Sequence, residues 1–167
     1  GTEDPRIVYG FGGVIAYKNI DFNFFFQGTA DAHRVIGNST IFLPGSGTTV
    51  QGNAYSENLD DRWTDDNQDP YAFWPRLTYG PNKNNYRAST WWKKDMSFLR
   101  LKTVEIGYTF PKKWMEKIYS KGARVFVSGN NLLCFSPFKL WDPELGTNNG
   151  LKYPMNRSIL FGIDINF

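Results

Sequence analysis

The chain has 167 residues, 41% hydrophobic and 17% aromatic, and its 19 basic and 16 acidic side chains leave a formal charge of +3. One cysteine, Cys134, and one histidine, His33, exclude a disulfide framework and a zinc module, and the overall composition excludes collagen-like repetition and extended disorder. Basic residues are scattered, which argues against a nucleic-acid partner, and Gly, Asn, Asp or Lys breaks every apolar run well short of the roughly 18–20 residues that a membrane-spanning helix needs.

The sequence begins Gly1-Thr2-Glu3, with neither an initiator methionine nor an apolar leader, as a mature product or an excised fragment would. The first predicted strand covers about 7–18, where Tyr9, Phe11, Gly13, Ile15 and Tyr17 share one parity and Gly10, Gly12, Val14, Ala16 and Lys18 the other. A tight Lys18-Asn19 corner turns it into a second strand over about 20–28, with Ile20, Phe22, Phe24 and Phe26 opposed to Asp21, Asn23, Phe25 and Gln27. A long polar connection over about 29–96 follows, rich in Gly, Asn and rings. The third strand, about 97–110, changes phase: Leu99 and Leu101 lie on one parity, Val104, Ile106, Tyr108 and Phe110 on the other. A bulge near Lys102-Thr103 would restore one apolar face, and Pro111 ends the ladder. Lys112, Lys113, Lys117 and Lys121 then flank Trp114 and Met115 in a short helical segment, read as a solvated face beside a turn. A fourth strand, about 123–133, carries Val125 and Val127. After a second long connection, about 135–157, the fifth strand over about 158–167 alternates cleanly: Ile159, Phe161, Ile163, Ile165 and Phe167 against Leu160, Gly162, Asp164 and Asn166.

The expected fold is therefore all-β, with antiparallel up-and-down strands. Short and long connections alternate, so neighbouring strands would gather the long loops at one end and the short turns at the other. That polarity is expected of outer-membrane β-barrels, and a periplasmic carboxyl terminus would put both long loops outside the cell. The run from Tyr9 to Tyr17, at about 3.3 Å per residue and a tilt of about 40°, spans on the order of 20 Å, close to the roughly 25 Å apolar band of such barrels. A soluble β-sandwich presenting the same aromatic loops to glycans is the alternative, with the alternating face packed against a second sheet.

The segment Asp95-Met96-Ser97-Phe98-Leu99-Arg100-Leu101-Lys102-Thr103-Val104-Glu105-Ile106-Gly107-Tyr108-Thr109-Phe110-Pro111 resembles a strand of the SusC/RagA-type TonB-dependent outer-membrane transporters. Tyr9-Gly10-Phe11, Phe24-Phe25-Phe26-Gln27-Gly28, Asp61-Arg62-Trp63-Thr64 with Asn67, Tyr86 to Thr90, Ser128-Gly129-Asn130-Asn131-Leu132, Asp142-Pro143-Glu144, Tyr153-Pro154 and the closing Phe161 to Phe167 match in the family's order. Asp65-Asp66 and Trp74-Pro75-Arg76 depart from its usual residues, which argues against importing a particular substrate. The resemblance implies that residues 1–167 are the carboxyl-terminal segment of an about 22-stranded barrel with an amino-terminal plug. It also implies a SusD-like surface lipoprotein, the TonB complex and outer-membrane lipid as partners. The function implied is import of glycans or oligopeptides across the outer membrane of a Gram-negative bacterium, with no enzymatic role.

Candidate sites follow from side-chain chemistry. Trp74, Tyr79, Trp91, Trp92 and Trp141 lie on the long loops, where rings can stack on sugars or take up apolar side chains, or else pack together to order the loops. Asp21, Asn23, Gln27, Arg100, Lys102, Glu105, Arg124, Asp164 and Asn166 fall on the polar parity and would line the barrel lumen as a network against the plug. No cofactor is expected. Asp65, Asn67 and Asp69 have the spacing that opens many calcium loops, but Pro70 and Arg76 stand where an EF-hand needs Gly and Glu, leaving only an irregular calcium site conceivable. No nucleophile and base are arranged for catalysis, and Cys134 reads as packing.

Overall fold

A computed structural model describes residues 3–36, 56–78, 82–85 and 87–167. Its elements are β1 (Ile7–Tyr17), β2 (Ile20–Ala30), β3 (His33–Val35), α1 (Glu57–Asp60), a 3₁₀ turn (Thr90–Trp92), β4 (Lys93–Asp95), β5 (Phe98–Thr109), α2 (Lys112–Met115) running into a 3₁₀ turn (Glu116–Ile118), β6 (Gly122–Phe135), a 3₁₀ turn (Pro143–Leu145) and β7 (Ser158–Asn166). They form two compact units, one of residues 1–32, 96–145 and 153–167 and one of residues 33–95 and 146–152. None of the described helices is long and apolar enough to cross a membrane, which leaves strands as the elements that could.

The first unit is a single antiparallel sheet in the order β1-β2-β5-β6-β7. Tyr17 pairs with Ile20 across the Lys18-Asn19 turn, where Lys18 takes a left-handed φ of 54°. The Asn19 side chain donates to the Thr109 carbonyl at 2.7 Å and so ties this turn to β5. The phase change in β5 is a bulge at Lys102: Phe25 and Phe26 of β2 pair with Thr103 and Leu101, and on β6 the register jumps from Leu133 to Asn130. Asn131, at a left-handed φ of 55°, accommodates the jump. Apolar residues before and after Lys102 thereby share one face.

That face is continuous. Ile15, Phe22, Ile106, Val127 and Phe161 stand side by side across all five strands, and Tyr17, Ile20, Tyr108, Val125 and Ile163 form the next row. Nothing among the described residues covers it: Phe161 is 81% exposed and Ile163 68%. A sandwich would interleave these side chains with a second sheet. Burying each of them is worth about 1.5–3 kcal/mol, so a face of this size left in water would forgo a large stabilisation. Aromatic rings collect near the turn end, with Tyr108 and Phe110 5.3 Å apart edge to face and Phe110 6.3 Å from Trp114.

The short connection between β5 and β6 is also fastened. Pro111 ends β5 and precedes the one-turn α2, and Tyr119 reverses the chain at φ 57°. The Ser120 hydroxyl and the Lys121 amide both donate to the Asn166 carbonyl, at 2.6 and 2.8 Å, joining this turn to the end of β7. In the second unit β3 pairs with β4, His33 opposite Asp95 and Val35 opposite Lys93. The stretch read from the sequence as one long polar connection thus contains short elements of its own.

Candidate functional site

The opposite face of the five-stranded sheet carries the charged side chains among a few apolar ones, Val14, Phe25, Phe126 and Leu160, and its charges are paired. Arg124 on β6 lies flat across Gly107 of β5, where a Cβ would stand 2.3 Å from the guanidinium, so only glycine leaves it room. From there it donates through Nε to Asp21 Oδ1 at 3.1 Å, through Nη2 to the other Asp21 oxygen, and through Nη2 to Glu105 Oε1 at 2.7 Å. Asp164 stands 4.0 Å away on β7. One guanidinium therefore joins side chains from four strands. Asn23 holds the register position opposite Val14 and Glu105, Gln27 that between Gly10 and Arg100, and Asn166 that opposite Gly122.

A second cluster lies at the far end of β5. The Arg100 side chain is 3% exposed; it donates to Asp142 Oδ1, and its Nε lies 3.0 Å from Glu144. Lys102 Nζ donates to both Glu144 oxygens, at 2.7 and 3.0 Å. Asp142 and Glu144 were not among the expected wall residues, although their spacing of two mirrors that of Arg100 and Lys102. Phe138 and Trp141, ring centroids 4.8 Å apart, sit in the same stretch of chain.

The second unit is organised around tryptophans. The Trp74 backbone donates to Asp61 and accepts from the Trp63 amide, both at 2.9 Å. Its ring packs against Phe73 at 5.0 Å and Trp92 at 6.1 Å, and Trp74 and Trp92 are each 3% exposed. Trp92 Nε1 donates to the Asn85 carbonyl at 2.9 Å, and the Asn85 side chain donates to the Arg76 carbonyl at 3.0 Å. This scaffold borders a cleft of about 680 Å³ lined by Trp63, Pro75, Arg76, Asn84, Asn85, Arg87, Ala88, Ser89, Thr90, Trp91 and Trp92. Of the expected binding rings, Trp91 and Trp92 therefore line the cleft, Trp74 packs against Trp92, Trp141 belongs to the sheet unit, and Tyr79 lies outside the described residues. Trp63, read as structural, lines the cleft too. Arg76 and Arg87 were missed, since an isolated loop arginine carries no local signal.

Around the residues with calcium-like spacing, Asp65 is ion-paired to Arg76 at 3.2 Å, Asn67 donates its amide to Thr64 Oγ1 at 2.9 Å, and Asp69 Oδ1 accepts the Tyr71 amide at 2.8 Å. No group of three His, Cys, Asp or Glu converges among the described residues.

Lys94 on β4 closes this core. Its Nζ donates to the Phe73 carbonyl at 2.9 Å and lies 3.9 Å from the centre of the Phe73 ring. Burial pushes its ammonium down to about 8, against a smaller opposing pull from Asp61. Between that value and the unfolded value of about 10.4 the unfolded loop binds more protons, so loop stability should rise with pH in this window and be flat below it. Near-UV circular dichroism melts of the Trp74–Trp92 region should show this rise, and Lys94→Met should remove it.

No family model matches the chain. It is 33% identical over 182 aligned positions to TonB-dependent receptor P26 of Formosa agariphila, covering 100% of this chain and 17% of the relative. It is 23% identical over 163 positions to TonB-dependent receptor SusC of Bacteroides thetaiotaomicron, covering 96% of this chain and 15% of that protein. Among solved structures, the RagAB peptide transporter superposes with a TM-score of 0.77 at 27% identity, over 99% of this chain and 18% of that one. The chain thus spans less than a fifth of the length of the relatives it matches.

Proposed function

Since this chain belongs to the SusC-type TonB-dependent receptor family, we propose that it supplies five adjacent strands and two long loops of an outer-membrane active importer. In this reading the apolar face meets lipid, and the face bearing Arg124 and Asp21 lines the lumen against a plug. The short turns at Lys18-Asn19 and 110–122 point to the periplasm, and the loop unit and the 135–157 connection to the outside. The work is transport, not catalysis: a TonB complex would drive it from the periplasm, and a SusD-like lipoprotein would close the mouth over a glycan or an oligopeptide.

The observation that carries this reading is the uncovered apolar face spanning all five strands, opposite a wall whose charges satisfy one another. Water against both faces would favour polar side chains on both. A test places single cysteines at Phe161, Ile163, Leu160 and Asp164 in the complete protein, with Cys134→Ser as background; Gly162 is avoided because a Cβ there would run into the Phe126 ring. The odd positions should react with a membrane-soluble maleimide and resist a water-soluble one, and the even positions should do the opposite. Equal reaction of both sets from water would refute the membrane assignment.

A further inference from the structure

We infer that the tryptophan-lined cleft of the loop unit is a binding site for an anionic oligosaccharide, bearing uronate or sulfate groups. This rests on the importer reading only in that the cleft must open to the outside.

The inference begins with charge. Two guanidinium groups, Arg76 and Arg87, line the cleft, and no carboxylate is among its described lining residues. Among the described residues Arg87 has no ion-pair partner and Arg76 is paired with Asp65 alone, at 3.2 Å and with both side chains more than half exposed. Such a pair contributes little and can be exchanged for a ligand anion, whereas a guanidinium grips a carboxylate or sulfate with two parallel hydrogen bonds.

Shape and rigidity point the same way. Trp63 and Trp91 offer flat aromatic surface, on which the C–H face of a pyranose can lie. The other lining groups are mostly amides and hydroxyls suited to sugar hydroxyls; Pro75 and Ala88 give little aliphatic surface for peptide side chains. The hydrogen bonds from Trp92 to Asn85 and from Asn85 to the Arg76 carbonyl fix the main chain from which the Arg76 side chain projects before ligand arrives. A volume of about 680 Å³ lies within the usual roughly 300–1,000 Å³ range of ligand sites.

The test titrates the complete protein in detergent with four probes followed by calorimetry: tetragalacturonate, a chondroitin sulfate tetrasaccharide, neutral maltotetraose and a tetra-aspartate peptide. At least one anionic sugar should bind ten-fold or more tighter than maltotetraose and the peptide. Arg76→Gln/Arg87→Gln should weaken that sugar at least ten-fold and leave maltotetraose unchanged. Arg87→Gln alone, at an exposed position that does not support the fold, should give a smaller loss in the same direction. Binding of none of the probes, equal binding of neutral and anionic sugars, preference for the peptide, or indifference to both variants would each overturn the assignment. Retention of heat-modifiable gel migration by the variants reports the barrel separately, so a failed cleft and a failed membrane reading give different results.

Discussion

Replacing Ile106 by arginine should lower the folding stability of the complete protein in lipid vesicles by about 2 kcal/mol, because a lipid-facing arginine costs about 2–4 kcal/mol at the bilayer midplane and less toward the interface, and Ile106 stands one row in from the rings at the turn end. Ile106 lies on the central strand β5, between Phe22 and Val127 in a row of apolar side chains that crosses all five strands, and it is 53% exposed. Exposure in water would predict a different outcome. A half-exposed surface isoleucine contacts little, and surface substitutions of that kind usually stay within about 0.5 kcal/mol. Urea unfolding in vesicles distinguishes the two, with Ile106→Leu as the conservative control. Thr103→Arg, on the opposite face of the same strand, is the control for charge, because a cation there meets the polar wall. A large loss at residue 106 with little at 103 places hydrocarbon against one face and water against the other. Equal, small losses at both would mean that the apolar face is wet or covered by protein.

How much of this was legible in the sequence depended on how far apart the cooperating residues lie. Strand faces were readable because a two-residue period needs only neighbours, and the parity flip between Leu101 and Val104 marked the bulge before its partners were known. Strand ends were less so. Thr29 and Ala30 extend β2 by pairing with Val8 and Ile7, a contribution of the partner strand that leaves no alternation in Gly28-Thr29-Ala30. On β6 the left-handed Asn131 breaks the alternation, so the residues up to Phe135 looked irregular while remaining in the ladder. Parity grouped Asp21, Glu105 and Arg124 on one face, but the bond from Arg124 to Asp21 joins positions 103 apart and depends on a missing side chain at Gly107. The cleft was the least legible feature. Its rings were noticed as ring-bearing loop residues, but the arginines that give it its charge become distinctive only once Asn85 and Trp92 bring their segment together.

Arg100→Met should be the most damaging single change on the polar face, at about 3 kcal/mol. The side chain is 3% exposed and faces two carboxylates, 18% and 27% exposed, so its removal leaves Glu144 with Lys102 alone and Asp142 without an ion pair among the described residues. Breaking a buried pair by deleting one partner costs about 3–5 kcal/mol, and the partial exposure of the acids puts the expectation at the low end of that range. The loss should be local before it is global. Arg100 ties Asp142 and Glu144, 42 and 44 positions further on, to β5, so amide exchange over 138–145 should accelerate while the β2–β5 ladder stays protected. Adding Asp142→Leu to Arg100→Met removes one stranded charge along with its partner and should recover part of the stability, because replacing both members of such a pair by apolar groups is often close to neutral. A single Arg100→Met loss below about 1 kcal/mol, or a double variant worse than the single, would show that the pair is not what fastens this connection to the barrel wall.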